Sequence, residues 1–163
     1  MDISSLADIA GVGGCASPRS RSPFDRGPVL AYVPGAQSLH LAMELARGYS
    51  LVAVEGSSFS VSEWAAGSDA INLVTGDTST STIPAGARDD LDSAIFYGGS
   101  NGWTASDEKT HARQRLADHV RAGRLSPDAA ASYAMSQGVS DRGAKRLREL
   151  LERAEVSGVG SRR

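Results

Sequence analysis

Three short apolar runs in the chain each end in a Val-x-Gly turn, and small hydroxyl-bearing residues follow each turn. Backbone N–H groups, helix dipoles and Ser or Thr hydroxyls at such turns can hold an anionic group. The pattern predicts a ligand-binding or regulatory module for a nucleotide-like or other anionic small molecule. The candidate binding residues are Gly35, Gln37, Ser38, Glu55, Gly56, Ser57, Ser58, Gly76, Asp77 and Thr78.

The spacing of these turns indicates which elements carry them. The glycines lie 21 and 20 positions apart (56 − 35 and 76 − 56), and each gap holds a helix-like stretch. This interval is typical of consecutive β/α units, in which a strand ends at a turn and a helix returns the chain over the sheet. We expect an α/β, Rossmann-like fold with a small, mainly parallel sheet of three strands at 29–33, 51–54 and 71–75. Such sheets bind ligands at the carboxyl ends of their strands.

Glu55 allows a narrower hypothesis, the binding of a dinucleotide. It lies 20 positions after Gly35 (55 − 35), where nucleotide-binding folds place an acid that accepts the ribose hydroxyls. The segment after Gly35 lacks the second and third glycines of the G-x-G-x-x-G motif, which let a pyrophosphate approach the backbone. Three interpretations stay open: a dinucleotide site, a broader anion site, or a turn glycine beside a solvated acid.

The C-terminal part of the sequence predicts an alternative function, that of a DNA-binding regulator. A helix start at 126–128 and a second cap at Ser140 flank a segment with helix-turn-helix spacing, with Gly138 at the turn. The residues expected to be buried are Ala134, Val139, Ala144 and Leu147. The candidate DNA-binding residues are Arg142, Lys145, Arg146 and Arg148, which can reach phosphates or guanine edges.

Three features of the same segment favour a plain helical hairpin that packs on the α/β part. Gln137 stands where a helix-turn-helix has a core leucine, and Gly143 lowers the helix propensity of the second helix. The positive charge is diluted by Glu149, Glu152 and Glu155. Both interpretations of the helix pair stay open.

The segment from Cys15 to Pro23 allows a third hypothesis. Its Cys-x5-Arg spacing fits phosphatase loops, and its ending at 21–23 resembles that of the low-molecular-weight tyrosine phosphatases. The resemblance implies a nucleotide- or phosphate-processing enzyme in which the thiolate attacks phosphorus while Arg21 and loop amides hold the oxygens. The segment departs from that pattern because Pro18 and Arg19 occupy the cradle. No base or general acid can be assigned, so this hypothesis ranks last.

Composition sets the class of protein. The chain has 163 residues, 40% of them apolar, and a net charge of −2, which gives no general attraction to nucleic acid or acidic membranes. No apolar run approaches the ~20 residues of a membrane span, and the start lacks the features of a secretory signal. Cys15 is the single cysteine, so no intrachain disulfide can form. We expect a cytoplasmic protein, and the near absence of lysine indicates the codon bias of a GC-rich genome.

The predicted organisation has four parts. An irregular arm at 1–27 precedes the α/β half at 28–86, a helical subdomain at 87–156 and a disordered tail at 157–163. Within the α/β half, Ser38 is expected to cap the first helix. Ser60 and Glu63 are expected to form a capping box around the start of the second helix.

Other residues carry less specific predictions. The three histidines (His40, His111 and His119) are too dispersed to predict a metal site, and no cofactor is indicated. Trp103 is expected at the seam between the two halves. A sheet of three strands is thin for independent stability, so either the helical part covers it or the protein forms a homodimer.

Overall fold

The computed structural model of the chain describes residues 26–56 and 59–159. The predicted arm up to residue 25, the phosphatase-like loop with Cys15, the candidate residues Ser57 and Ser58, and the end of the predicted tail at 160–163 lie outside the described residues. The chain divides into two compact units, residues 1–58 and 59–163. This division differs from the boundary near residue 86 that the sequence predicts.

The first unit contains one β/α/β unit. Its elements are β1 (Val29–Tyr32), α1 (Ala36–Leu45) and β2 (Leu51–Val54). The two strands are parallel, with Val29 opposite Leu51 and Tyr32 opposite Val54. Ala31 on β1 and Leu39 and Ala42 on α1 are buried, as expected for a helix that covers one face of the sheet. Helix α1 begins directly after Gly35. The predicted cap by Ser38 is therefore wrong, because Ser38 lies inside the helix.

The predicted third strand at 71–75 is not confirmed. Residues 70–79 instead form a short hairpin with a single antiparallel bridge between Ile71 and Thr78. The side-chain oxygen of Asn72 accepts from the backbone N–H of Val74 at 2.9 Å, which bends the chain away from an extended course. Gly76 completes the turn at a φ of +80°. The described residues thus contain a mixed α/β structure with a parallel sheet of two strands.

The second unit is helical. Its elements are α2 (Ser62–Gly67), α3 (Ala85–Gly98), α4 (Ser106–Arg121), α5 (Pro127–Ser136) and α6 (Asp141–Val159). Buried apolar side chains from α3 to α6 and from their connections form one core, which includes Leu91, Leu116, Leu125, Leu147 and Leu151. Trp103 is fully buried in this core, so its predicted place at a seam between two halves is wrong. None of the described helices has the length and hydropathy of a membrane span.

Helix α2 explains why the boundary between the units precedes residue 59. The backbone N–H of Trp64 donates to the Ser132 hydroxyl of α5 at 3.0 Å, and that hydroxyl donates to the Ser60 carbonyl at 3.0 Å. Gly67 faces Ser136, where a Cβ on the glycine would clash. These contacts attach α2 to α5, whereas the sequence assigns the same stretch to the α/β half because its apolar pattern resembles a β/α repeat.

The predicted capping box at the start of α2 is also wrong. The helix begins at Ser62, and Ser60 bonds the side chain of Ser62 at 2.9 Å. Glu63 is buried and accepts from the Thr82 backbone N–H at 2.8 Å and from the Ser81 and Thr82 hydroxyls at 2.6 and 2.5 Å. In a capping box the carboxylate accepts from a backbone N–H of the same helix start. Here Glu63 accepts instead from Ser81 and Thr82, which lie 18 and 19 residues further along the chain.

Candidate functional site

The turn between α5 and α6 is a helix C-terminal motif closed by glycine. Gly138 has a φ of +86°, and its N–H donates to the Met135 carbonyl at 3.0 Å. The Val139 N–H donates to the Ala134 carbonyl at 3.1 Å. This pair of bonds is the Schellman arrangement, which requires a residue that tolerates positive φ at its centre. Gln137 is exposed before the turn, so the position where a helix-turn-helix has a core leucine faces solvent in this chain.

Both helices of the pair begin as the sequence predicts. The Ser126 hydroxyl accepts from the Ala129 N–H at 3.1 Å, with Pro127 in the first helical position. The Ser140 hydroxyl accepts from the Gly143 N–H at 3.2 Å. The residues expected inside the pair are all buried: Ala134, Val139, Ala144 and Leu147. The spacing of small and apolar residues therefore predicts correctly that these four residues of the helix pair are buried.

The four basic candidates of α6 have different surroundings. Arg148 is bound from two sides, with its Nε 3.0 Å from an oxygen of Asp128 and 2.9 Å from an oxygen of Glu152. Arg146 donates to the Gly102 carbonyl at 3.2 Å. Lys145 is 75% exposed, and its one ion pair, with Glu149, is long at 3.9 Å. Arg142 is exposed and forms no ion pair with the described residues. All four side chains are exposed, and Arg142 and Lys145 are the two that make no close hydrogen bond or ion pair with the described residues.

The loop at 99–105 lies against the first turns of α6. Gly143 is buried there, and a Cβ added to it would come within 3.1 Å of the Gly102 Cα and 2.7 Å of Val139 Cγ1. Gly143 is therefore needed for close contact between backbones rather than being only a weak helix former. The buried carboxylate of Glu108 fixes the loop, accepting from the Asn101 side chain at 2.8 Å and the Ala105 N–H at 3.0 Å.

A polar cluster joins α3 to α4. Asp90 accepts from His119 Nε2 at 2.9 Å and from Arg115 at 3.2 Å, and Arg124 donates to His119 Nδ1 at 3.2 Å. Because Nδ1 of His119 accepts from Arg124, it carries no proton in the neutral ring. The proton of a neutral His119 is therefore on Nε2 and points at Asp90. The hydrogen bond from His119 holds the pKa of Asp90 below its usual value. We interpret the cluster as a structural link between α3 and α4, because each of its groups already has a hydrogen-bond partner.

Tyr133 forms a second polar link between helices, from α5 to α3. Its hydroxyl donates to Asp92 at 2.9 Å. Burial and the neighbouring carboxylate raise the pKa of Tyr133 to about 12, so the phenol keeps its proton at neutral pH. In the part of the chain that the structure describes, no three His, Cys, Asp or Glu residues are grouped to hold a metal ion.

The candidate residues of the glycine turns fall in both units. Gly35 caps α1 without a side-chain hydrogen bond, and Glu55 and Gly56 follow β2, so these residues lie at the carboxyl ends of two adjacent parallel strands. Gln37 is exposed and Ser38 half-buried in the first turn of α1. Gly76, Asp77 and Thr78 belong to the hairpin of the second unit, which follows neither strand of the parallel sheet.

Gly56 has a packing role that the sequence does not reveal. Val33 has a φ of +47°, which is unusual for a β-branched residue, and its side chain lies where a Cβ of Gly56 would be. Gly35, in contrast, has no atom within 4 Å of the place of a Cβ. Of the two glycines at the strand ends, Gly35 borders open space and Gly56 makes room for a neighbouring side chain.

Comparison of the chain with protein-family models, curated proteins and solved structures gives no match. The functional argument therefore rests on the residues themselves.

Sequence reasoning missed the roles of several polar residues. Glu63 and the pair formed by Asp90 and His119 have partners far along the chain, whereas the partners of the buried Glu108 are nearby. For Glu108 a local signal exists, since it stands three positions after the N-cap residue Ala105, where a glutamate can accept the N-cap N–H. For Asp90 and His119 no local pattern exists, because they lie on different helices.

Proposed function

We propose that the protein is a DNA-binding regulator that places the first turns of α6 in the major groove of duplex DNA. The observation that carries the proposal is the helix pair of α5 and α6. It has a glycine of positive φ at the turn and buries Ala134, Val139, Ala144 and Leu147 at four expected interior positions, while the exposed Gln137 stands where such motifs have a core leucine. In such a motif the start of the second helix meets the base edges.

The distribution of charge on α6 supports this orientation. Arg142 and Lys145 lie in the first turns, exposed, whereas Arg148 lies further along and is paired with Asp128 and Glu152. Arginine and lysine donate to phosphates and to the O6 and N7 atoms of guanine. Because the whole chain carries a net charge of −2, attraction to DNA must come from this local pair rather than from a general field.

Replacing Arg142 or Lys145 with alanine is expected to weaken duplex binding by about tenfold each and to lower the salt dependence by about one phosphate contact each. The measurement is the fluorescence anisotropy of a labelled, random-sequence duplex, titrated with the full chain at several salt concentrations. Proteins of this kind bind non-specific DNA with dissociation constants of about 10⁻⁴ to 10⁻⁶ M at physiological salt and more tightly at low salt.

Arg148→Ala is the matched control, because it removes the same charge from the same helix. The carboxylates of Asp128 and Glu152 already lie beside its Nε and offset its charge, so the affinity of this variant for DNA is expected to stay within about twofold of that of the unaltered chain. Equal losses in all three variants would show a diffuse charge effect and contradict the proposed docking. An unaltered chain that leaves the duplex free at low salt would overturn the function itself.

A second candidate function, the binding of an anionic ligand, is favoured by the α1 N-terminus. Helix α1 starts at the ends of two parallel strands, no side chain caps it, and Gly35 borders open space. Free N–H groups at a helix start favour negative charge. This candidate uses Gly35, Gln37, Ser38, Glu55 and Gly56, without the turn at Gly76.

Gly35→Asp is expected to weaken the binding of ATP or inorganic phosphate by tenfold or more, measured by isothermal titration calorimetry. The backbone at Gly35 (φ −81°) suits an aspartate N-cap, so the variant should fold while its carboxylate repels the anion. Gly35→Ala is the control, since it adds a methyl group to open space without charge. A chain that binds neither probe, or an alanine variant as weak as the aspartate variant, would rule this candidate out.

A further inference from the structure

The basic residues of the second unit differ in their neighbours. Three of them contact carboxylates at 3.2 Å or less: Arg115, Arg121 and Arg148. Four others are exposed, form no ion pair with the described residues and lie on the two helices beside the loop at 99–105. They are Lys109 and Arg113 on α4, and Arg142 and Arg146 on α6. A positive charge without a carboxylate beside it remains available to an anionic partner.

The loop at 99–105 brings two of these cations together. Arg146 donates to the Gly102 carbonyl at 3.2 Å, and Lys109 donates to the Thr104 carbonyl at 2.9 Å. Two residues of chain span at most about 7 Å, so the two cationic groups lie within about 15 Å of each other. The start of α4 and the first turns of α6 therefore present positive charge on one surface.

The other two cations extend this surface along each helix. Arg113 lies four positions after Lys109 and shares its face of α4. Arg142 lies four positions before Arg146 and shares its face of α6. No acidic residue stands three or four positions from Lys109, Arg113 or Arg142, where it could form an ion pair along the helix. We call these four side chains the α4–α6 surface.

We infer that Lys109 and Arg113 bind phosphates of the duplex whose major groove receives α6, an inference that rests on the proposed function. Duplex DNA fits the α4–α6 surface by charge, because cations that neutralise phosphates release condensed counterions. The major groove is about 12 Å wide and has a sugar-phosphate backbone on each side. Cations of α4 within about 15 Å of those of α6 can therefore contact a backbone beside the groove. Such contacts fix the orientation of the protein without reading the sequence.

Arg113→Ala is the sharpest test, because the Arg113 side chain has no hydrogen bond or ion pair with the described residues that its removal would break. It should weaken the binding of a labelled, random-sequence duplex by about three- to tenfold at low salt. The slope of log affinity against log salt concentration should fall by about one, and by about two when Lys109→Ala is added. Arg113→Lys keeps the charge and should keep the slope. Fluorescence anisotropy with the full chain measures both quantities.

Arg121→Ala is the matched control, since Arg121 is exposed on the same helix and pairs with Asp118 at 3.0 Å. Its slope should be unaltered, and a loss equal to that of Arg113→Ala would overturn the inference, because a diffuse charge would then explain both. Arg142→Ala separates the inference from the proposed function. If Arg142→Ala weakens binding while Arg113→Ala and Lys109→Ala leave the slope unaltered, the docking of α6 stands and the inference is overturned. A chain that leaves the duplex free at low salt would overturn both.

Discussion

Replacing Trp103 with alanine is expected to lower the free energy of unfolding by about 3–5 kcal/mol, the range found for large aromatic residues in cores. Trp103 is fully buried, and its ring lies on Gly98, where a Cβ would come within 2.7 Å of the indole Cδ1. Its φ of +52° is costly for a residue with a side chain, so the packing of the ring holds the loop in that conformation. Urea denaturation followed by far-UV circular dichroism measures the loss.

Trp103→Phe is the informative control. The indole N–H of Trp103 is buried and has no hydrogen-bond partner among the described residues, so phenylalanine loses no hydrogen bond and keeps most of the apolar contact. We expect a loss of about 1–2 kcal/mol, from the smaller volume alone. Equal losses for phenylalanine and alanine would contradict the packing argument and indicate that the indole N–H makes a bond that stabilises the fold.

The sequence predicts well those features of the second unit that depend on neighbours in the chain. The cap at Ser126, the turn at Gly138 and the cap at Ser140 each rest on contacts between residues no more than five positions apart. Their energies are decided within one turn of helix, so residue type and spacing suffice. For the same reason the buried positions of the helix pair follow from its pattern of small and apolar residues.

One prediction fails for a local reason. The side chain of Asn72 and the turn at Gly76 close the predicted strand at 71–75 into a hairpin. The other failures arise where a distant group competes for the same atoms or space. The role of Gly56 depends on the side chain of Val33, which no local pattern brings there. Likewise, the sequence gives the four basic candidates of α6 equal standing, and only the position of Asp128 distinguishes Arg148 from Lys145.

Glu63 is the residue whose predicted and actual roles differ most, and its replacement by alanine is expected to cost about 2–4 kcal/mol. The carboxylate accepts three hydrogen bonds from Ser81 and Thr82 in a buried position. Bonds to a charged acceptor are stronger than neutral ones, and their loss leaves donors without partners. The hydroxyls can turn toward other acceptors, whereas the Thr82 N–H is fixed by the backbone, so it should bear most of the cost.

A double-mutant cycle between Glu63→Ala and Thr82→Val, followed by urea denaturation, measures how much the Thr82 hydroxyl contributes beside the N–H. Thr82→Val removes the hydroxyl that donates to Glu63 at 2.5 Å and leaves the backbone N–H in place. A coupling energy of about 1 kcal/mol is expected if the hydroxyl and the carboxylate act on each other. Additive losses would mean that the Thr82 hydroxyl contributes nothing and that Glu63 acts through the Thr82 N–H and the Ser81 hydroxyl. Since α2 is bonded to Ser132 of α5, Glu63→Ala should also weaken the support of the helix pair proposed to bind DNA. A chain that is destabilised by this change yet binds DNA with unaltered affinity would show that α3 and α4 support the pair without α2.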